Sequence, residues 1–274
     1  MKTYLFFLSF FISLSVLGQQ DSIHFAHQAW ENKEVKKGII WKKAHFNYLF
    51  GGEQEINIVE IDLKKYHKKL KLAGVPKGTK LTSTFAQENN AIVAINGGFF
   101  NTRKGGGHDF IKIDRQIINV SSNNFPRANA YFVFDRKRID ILPQTKDSTN
   151  ETAPDNVLLA GPLLLYHSQT TDLSTDKFDG NKHPRTVVAI KGNTLIFLTA
   201  DGRNKKSHGL SLYELSKFLS WYGCQSAMNL DGGGSTTMYI AGEPDNGIVN
   251  YPSDNKKFDH LGEREVANII YIKN

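Results

Sequence analysis

The 274-residue sequence holds a single cysteine, Cys224, so it can form no internal disulfide and its core must hold by packing alone. It has only one long apolar run, Leu5 to Leu17, and nothing later in the chain is as apolar. That run is too short for the roughly 20 residues of a comfortable membrane span. The chain also lacks an internal repeat, a coiled-coil heptad and any low-complexity tract. No G-x-G-x-x-G opens a helix, and no Gly-Lys-Ser/Thr follows a glycine-rich turn, which sets aside dinucleotide and P-loop nucleotide binding.

What the first residues do have is the order of a secretory signal. Lys2 precedes the apolar run, and the small residues Ser15 and Gly18 precede Gln19-Gln20. The expectation is a signal peptide over residues 1–18, a secreted or periplasmic destination, and no membrane span once it is removed. The formal charge of +7 is a mild bias towards anionic partners, concentrated in Lys33 to Lys43, Lys64 to Lys71 and Lys205-Lys206. These clusters lack interleaved aromatic platforms, so they read as solvated faces rather than as a nucleic-acid surface.

Strand patterns dominate. Apolar residues alternate from Ile56 to Leu63, and Ala91 to Ile95, Tyr131 to Phe134 and Thr186 to Ala200 are β-rich. Within the last, Gly192-Asn193 predicts a tight hairpin. One helix is predicted from Leu212 to about Tyr222, with Ser211 and Glu214 as a capping box and Gly223 at its end. A shorter one is expected around Ser83 to Asn89. The segments Gln144 to Asp155, Ser168 to Lys182 and Gly242 to Asp259 read as loops, the last a candidate lid. The sum is an α+β single domain, predominantly mixed β-sheet with a few packed helices.

Two predicted strands run into polar, glycine-rich turns: Asn96-Gly97-Gly98 after Ile95, and Asp231-Gly232-Gly233-Gly234-Ser235 after Asn229-Leu230. Consecutive glycines can turn several N–H groups into one anion-holding concavity. Either turn alone is accounted for by chain reversal; two of them, each with a polar residue at the strand end, favour a site. The hairpin brings His183-Pro184-Arg185-Thr186 near Asp201-Gly202-Arg203. Arg185 and Asp201 then read equally well as a sheet-end salt bridge or as part of a phosphate site.

These segments occur in a family's order. Asn96-Gly97-Gly98-Phe99-Phe100, Gly161-Pro162-Leu163-Leu164, His183-Pro184-Arg185-Thr186, Asp201-Gly202-Arg203, Ser211 to Leu215, Asn229 to Thr236 and Arg264-Glu265-Val266-Ala267-Asn268 resemble the phosphodiester glycosidase domain. The resemblance runs from about Ile56 to the C-terminus and leaves residues 19–55 as an unmatched N-terminal extension before a domain over 56–274. It implies hydrolysis of a sugar-1-phosphate diester at the anomeric C–O bond, with a phosphorylated glycan as partner and N-acetylglucosamine as one candidate sugar. On that reading Asp201, Asp231 and Arg185 are catalytic. Asn96, Gly97, Gly98, His183, Arg203, Asn229, Gly232, Gly233, Gly234 and Ser235 hold sugar or phosphate. No cofactor is firmly implied, no metal ligand is assigned and no protein partner is expected. Two other classes stay open: a divalent-metal phosphodiesterase using Asp201 and Asp231, and a non-catalytic binder of envelope phosphoglycans.

Overall fold

Residues 187–190 and 195–198 are apolar without a break, the pattern of strands buried on both faces, and the packing follows from it. The computed structural model describes residues 20–121, 127–144 and 154–274. The proposed signal segment and most of the Gln144–Asp155 loop lie outside the described residues.

Among the described residues, the strands form three sheets. The largest contains β1 (Glu31–Lys36), β2 (Ile39–Leu49), β3 (Gly52–Asp62), β11 (Leu163–Tyr166), β12 (Gln169–Thr170), β13 (Arg185–Lys191), β14 (Thr194–Ala200) and β15 (Ser226–Asn229), in the order β1-β2-β3-β14-β13-β15-β11-β12. A second runs β7-β6-β10-β8-β9, from β6 (Ile111–Ile113), β7 (Gln116–Asn119), β8 (Ala130–Phe134), β9 (Ile139–Pro143) and β10 (Asn156–Ala160). The third runs β16-β5-β17-β4, from β4 (Leu70–Gly74), β5 (Ala91–Asn96), β16 (Met238–Ile240) and β17 (Asn268–Lys273). The ladders between these strands are antiparallel throughout. The α+β single domain expected from the sequence is what forms, with its sheets antiparallel rather than of mixed direction.

Alternation along the central strands divides the core in two. Val59, Ile61, Val188, Leu195 and Phe197 face the other two sheets, meeting Val93, Ile95, Phe132, Leu158 and Ile270. Ile56, Ile58, Val187, Ala189, Ile196 and Leu198 face the opposite way, onto Leu212, Leu215, Phe218 and Leu219 of the helix Leu212–Trp221. Each of those helix side chains is fully buried, worth about 1.5–3 kcal/mol apiece. The predicted capping box is present: Ser211 accepts from the Glu214 N–H, and Glu214 accepts from the Ser211 N–H. Gly223 takes φ +86° just beyond the helix. The short helix Thr82–Glu88 forms where one was expected.

The hairpin at Gly192-Asn193 also forms, pairing Lys191 with Thr194 and Arg185 with Ala200. Residues 31–49, expected as an unmatched extension, continue the largest sheet through the long β2–β3 ladder. Trp30 adds to the helix-side core, edge-on to Phe46 and Phe218. The Ser168–Lys182 segment is not wholly loop, since it contains β12 and the helical turn Lys177–Gly180.

Candidate functional site

The two glycine-rich turns meet. Asn96 ends β5 in one sheet, Asn229 ends β15 in another, and the Asp231 N–H donates to the Gly97 carbonyl at 3.0 Å. The Asn96 side chain donates back to the Asp231 carbonyl at 2.7 Å. Its Oδ1 accepts from the Thr186 hydroxyl at 2.8 Å and the Thr237 N–H at 3.1 Å, so this buried amide joins three segments. The start of β13 is fastened in the same way: Thr186 accepts from the Leu230 N–H, and Pro184 accepts from the Gly233 N–H. Asn229 donates its side-chain amide to the Gly161 carbonyl at 2.9 Å, and its N–H to Pro162. The Gly161-Pro162 bond, which is cis, links β10 of the second sheet to β11 of the first. All three sheets therefore contribute to one convergence point.

Backbone contacts explain two of the glycines. A Cβ on Gly97 would run into the Asn268 side chain, whose Oδ1 accepts from the Gly98 N–H at 2.7 Å while its carbonyl accepts from the Gly97 N–H. Gly233 has φ +62°, and a Cβ there would lie 2.8 Å from the Arg203 guanidinium. Arg203 is itself a non-glycine residue at φ +62°, a conformation that costs about 1–3 kcal/mol and is characteristic of functional sites. On the next residue, Gly234 lies against Arg264 and Asp254. Arg264 Nε donates to Asp254 at 2.8 Å. Gly202, Arg203, Asn204, Asp254, Lys257 and Arg264 are among the residues enclosing a cavity of about 230 Å³ beside the loop.

The carboxylates differ in exposure and partners. Asp231 is half-buried and accepts from the Gly232 N–H at 3.0 Å. Burial pushes it up to about 6, opposed by Ser235, by the Arg264 charge and by that N–H. The Thr236 and Thr237 hydroxyls and Asn229 Oδ1 are buried without a protein partner. Such a concentration of unsatisfied buried groups marks a place built for something other than stability.

Asp201 is fully buried, with one oxygen accepting from Asn250 Nδ2 at 2.8 Å and the other from the Tyr251 N–H at 3.0 Å. Burial lifts it to about 7. It therefore pins the segment expected as a lid, which is further packed by Tyr251 stacked on Phe258 and His260.

Arg185 and Asp201 do not form the salt bridge that was one sequence reading, although register places them at the same strand ends. The buried Arg185 guanidinium instead donates to the carbonyls of Leu210, Phe178 and Asn181 and lies over the Phe178 ring. Burial lowers its pKa to about 10, so the group remains a cation at neutral pH. His183 is half-buried, with its pKa depressed by burial and then by Arg185 and Arg203.

The residues gathered here are largely those expected from the sequence. Asn96, Gly97, Gly98, Asn229, Asp231, Gly232, Gly233, Gly234, Ser235 and Arg203 share one neighbourhood, with Arg185, His183 and Asp201 packed around it. Arg264 and Asn268, carried in the sequence only as part of a terminal motif, belong to it directly. Asp254, Asn250 and Tyr251 had no sequence signal, since they sit in an irregular segment where no spacing predicts partners. Among the described residues, no group of three or more His, Cys, Asp or Glu side chains is placed to hold a metal ion.

The human N-acetylglucosamine-1-phosphodiester alpha-N-acetylglucosaminidase is 28% identical over 68% of the chain and 38% of its own length. The mouse protein of that name is 27% identical over 66% of the chain and 37% of its own length. The chain thus spans under two fifths of these relatives. The catalytic domain of the zebrafish protein superposes with a TM-score of 0.69 over 90% of this chain and 88% of that one; at 18% identity this is a likeness of fold. The family model for phosphodiester glycosidases matches residues 89–273, a span that holds both glycine-rich turns, Arg203 and Arg264, and the chain belongs to that family.

Proposed function

We propose that the protein hydrolyses a sugar-1-phosphate diester at the anomeric C–O bond, as the names of its vertebrate relatives describe for N-acetylglucosamine. The observation that carries this reading is the placement of Arg203 and Arg264 against Gly233 and Gly234, two and three residues beyond the half-buried Asp231 in the same loop. Two guanidinium groups suit the two free oxygens of a phosphodiester.

The leaving group in this reaction is a phosphate monoester, which departs without a strong proton donor. Catalysis then rests on stabilising negative charge as the C–O bond lengthens, and fixed cations beside a partly desolvated loop supply that. Arg203 and Arg264 hold the phosphate, and the buried Arg185 contributes a fixed positive field from behind the loop. Asp231 serves as the carboxylate at the anomeric carbon, ionised above about pH 6. The unpaired Thr236 hydroxyl and Asn229 Oδ1, with the Ser235 hydroxyl beside Asp231, are available to orient sugar hydroxyl or acetamido groups. Asp201, with both oxygens occupied, acts as a positioning residue through Asn250 and Tyr251. The charged and apolar order of the first residues supports an exported protein acting outside the cytoplasm.

The test is incubation with an α-N-acetylglucosamine-1-phosphate diester in ¹⁸O water, with and without chelator. Label in the released sugar establishes C–O cleavage. Label in the phosphate overturns it in favour of P–O cleavage, and absence of turnover with this and other glycosyl diesters leaves a binding protein.

A further inference from the structure

A second feature lies at the opposite end of the central strands. The β13–β14 ladder runs from Arg185 and Ala200 at the site to the Gly192-Asn193 turn, seven residues or about 20 Å away. Beside that turn lies a cavity of about 640 Å³, lined in part by Gly192 and Asn193, and it adjoins another of about 660 Å³ with which it shares His67 and Lys68. Lys64, Lys68, Arg136, Lys137 and Arg138 line them, and all five are exposed.

Three carboxylates, Asp114, Asp135 and Asp155, line the larger of these cavities, and each is already engaged. Asp114 pairs with Lys71 and Asp155 with Arg115. Asp135 accepts from the backbone N–H groups of Lys137 and Arg138, and these hydrogen bonds, helped by the Arg138 and His67 charges, hold its pKa below the ordinary carboxylate value although burial raises it. No ion pair is formed by Lys64, Lys68, Arg136, Lys137 or Arg138 among the described residues. The excess positive charge lies mainly in the smaller cavity, whose lining holds Lys64, Lys68, Lys137 and Arg138 and no carboxylate, and it continues into the larger through Lys68 and Arg136. A row of cations attracts a chain of anions more strongly than a single one.

Two polyanion classes fit poorly. The large exposed hydrophobic residues, Ile23, Ile40, Tyr48, Ile117, Val120, Tyr213 and Leu261, lie elsewhere, so the trough offers nothing to insert into a bilayer. Its lining aromatic, Phe134, is 2% exposed, so there is no platform for nucleobases. We propose that this trough is a docking site for a polymeric phosphate-bearing glycan, holding one stretch of the chain while a terminal or neighbouring unit reaches the glycine-rich site. The proposal deepens the functional reading above and rests on it for the identity of the polymer.

The experiment separates the two. A fluorescently labelled poly(glycosyl phosphate) long enough to cross both cavities is titrated against the full chain by anisotropy, beside the variant K64Q/K68Q/R136Q/K137Q/R138Q, and turnover of the same polymer and of a single glycosyl phosphodiester is measured in parallel. The expected result is binding by the wild type that weakens steeply with salt, and at least about a tenfold loss in the variant, with single-diester kcat and KM unchanged. Equal polymer affinity in the two proteins, or tighter binding of duplex DNA or anionic lipid vesicles than of the glycan polymer, overturns the docking site. Polymer binding that is lost in the variant, with turnover of neither substrate by the wild type, upholds the docking site and overturns the catalytic reading instead. A circular dichroism spectrum and thermal midpoint matching the wild type confirm that the variant folds.

Discussion

Asn96 and Asp231 are joined by a 2.7 Å hydrogen bond across 135 residues of chain, from the side-chain amide of one to the backbone carbonyl of the other. The bond fixes the Asp231 turn to the end of β5, and the same amide oxygen holds Thr186 and Thr237.

Replacing Asn96 with alanine leaves a carbonyl, a hydroxyl and an N–H without this partner in a buried setting. The expected loss is about 3 kcal/mol of folding stability. Urea unfolding checks it: the midpoint should fall with the m-value unchanged, whereas an unaltered midpoint would mean that water replaces the amide at little cost.

The pH dependence of turnover should follow Asp231. Its carboxylate is needed ionised, so kcat/KM is expected to rise with pH through about 6 and level off above it. Asp231→Asn should lower kcat by at least about 10²-fold. Steady-state rates across this range decide the matter, and a variant that retains the wild-type rate removes Asp231 from the reaction.

Arg264 couples to the same limb. Its charge lowers the pKa of Asp231, so Arg264→Ala should move the rising limb to higher pH as well as weaken phosphate binding. The expected loss in kcat/KM is about 10²-fold. A loss of rate with the inflection unmoved would confine Arg264 to the phosphate.

Stability should run the other way with pH. Asp201 is raised from 3.8 to about 7 by burial, so the folded state holds its proton more tightly than the unfolded chain does. Its contribution is fully present below 3.8 and is lost as pH rises through about 7; Asp231 follows the same course through about 6. The thermal midpoint should therefore decline from weakly acidic to neutral pH, and Asp201→Asn should flatten the decline. A midpoint that rises over this range would show the carboxylate to be stabilised by its two N–H donors more than it is penalised by burial.

Gly97→Ala should destabilise by about 1–3 kcal/mol, because the new methyl group meets Asn268. A double-mutant cycle with Asn268→Ala measures the coupling, and full additivity would place the strain elsewhere.

Much of this arrangement could be read from the chain before folding, and the reason is local. The Ser211–Glu214 box, the Gly192-Asn193 turn and the unbroken apolar runs of β13 and β14 are short-range signals whose physics is contained in a few residues. The glycine-rich turns were visible because steric demands leave glycine few substitutes, as Gly97 beside Asn268 shows. What sequence could not supply was direction. Arg185 and Asp201 stand at the same strand ends, yet one side chain turns to the carbonyls around Phe178 and the other to Asn250. Nor could composition show that residues 31–49 complete the central sheet, since β2 is specified by its register against β3 rather than by a motif.

The meeting of three sheets at one point has a kinetic consequence. The bonds that define the site span long stretches of chain, 135 residues for Asn96 to Asp231 and 170 for Gly98 to Asn268. Contacts of such high sequence separation carry the largest loop-closure cost and form late on a folding route. Recovery of catalysis after dilution from denaturant should thus trail the recovery of β-sheet circular dichroism, making turnover a clock for the last stage of folding.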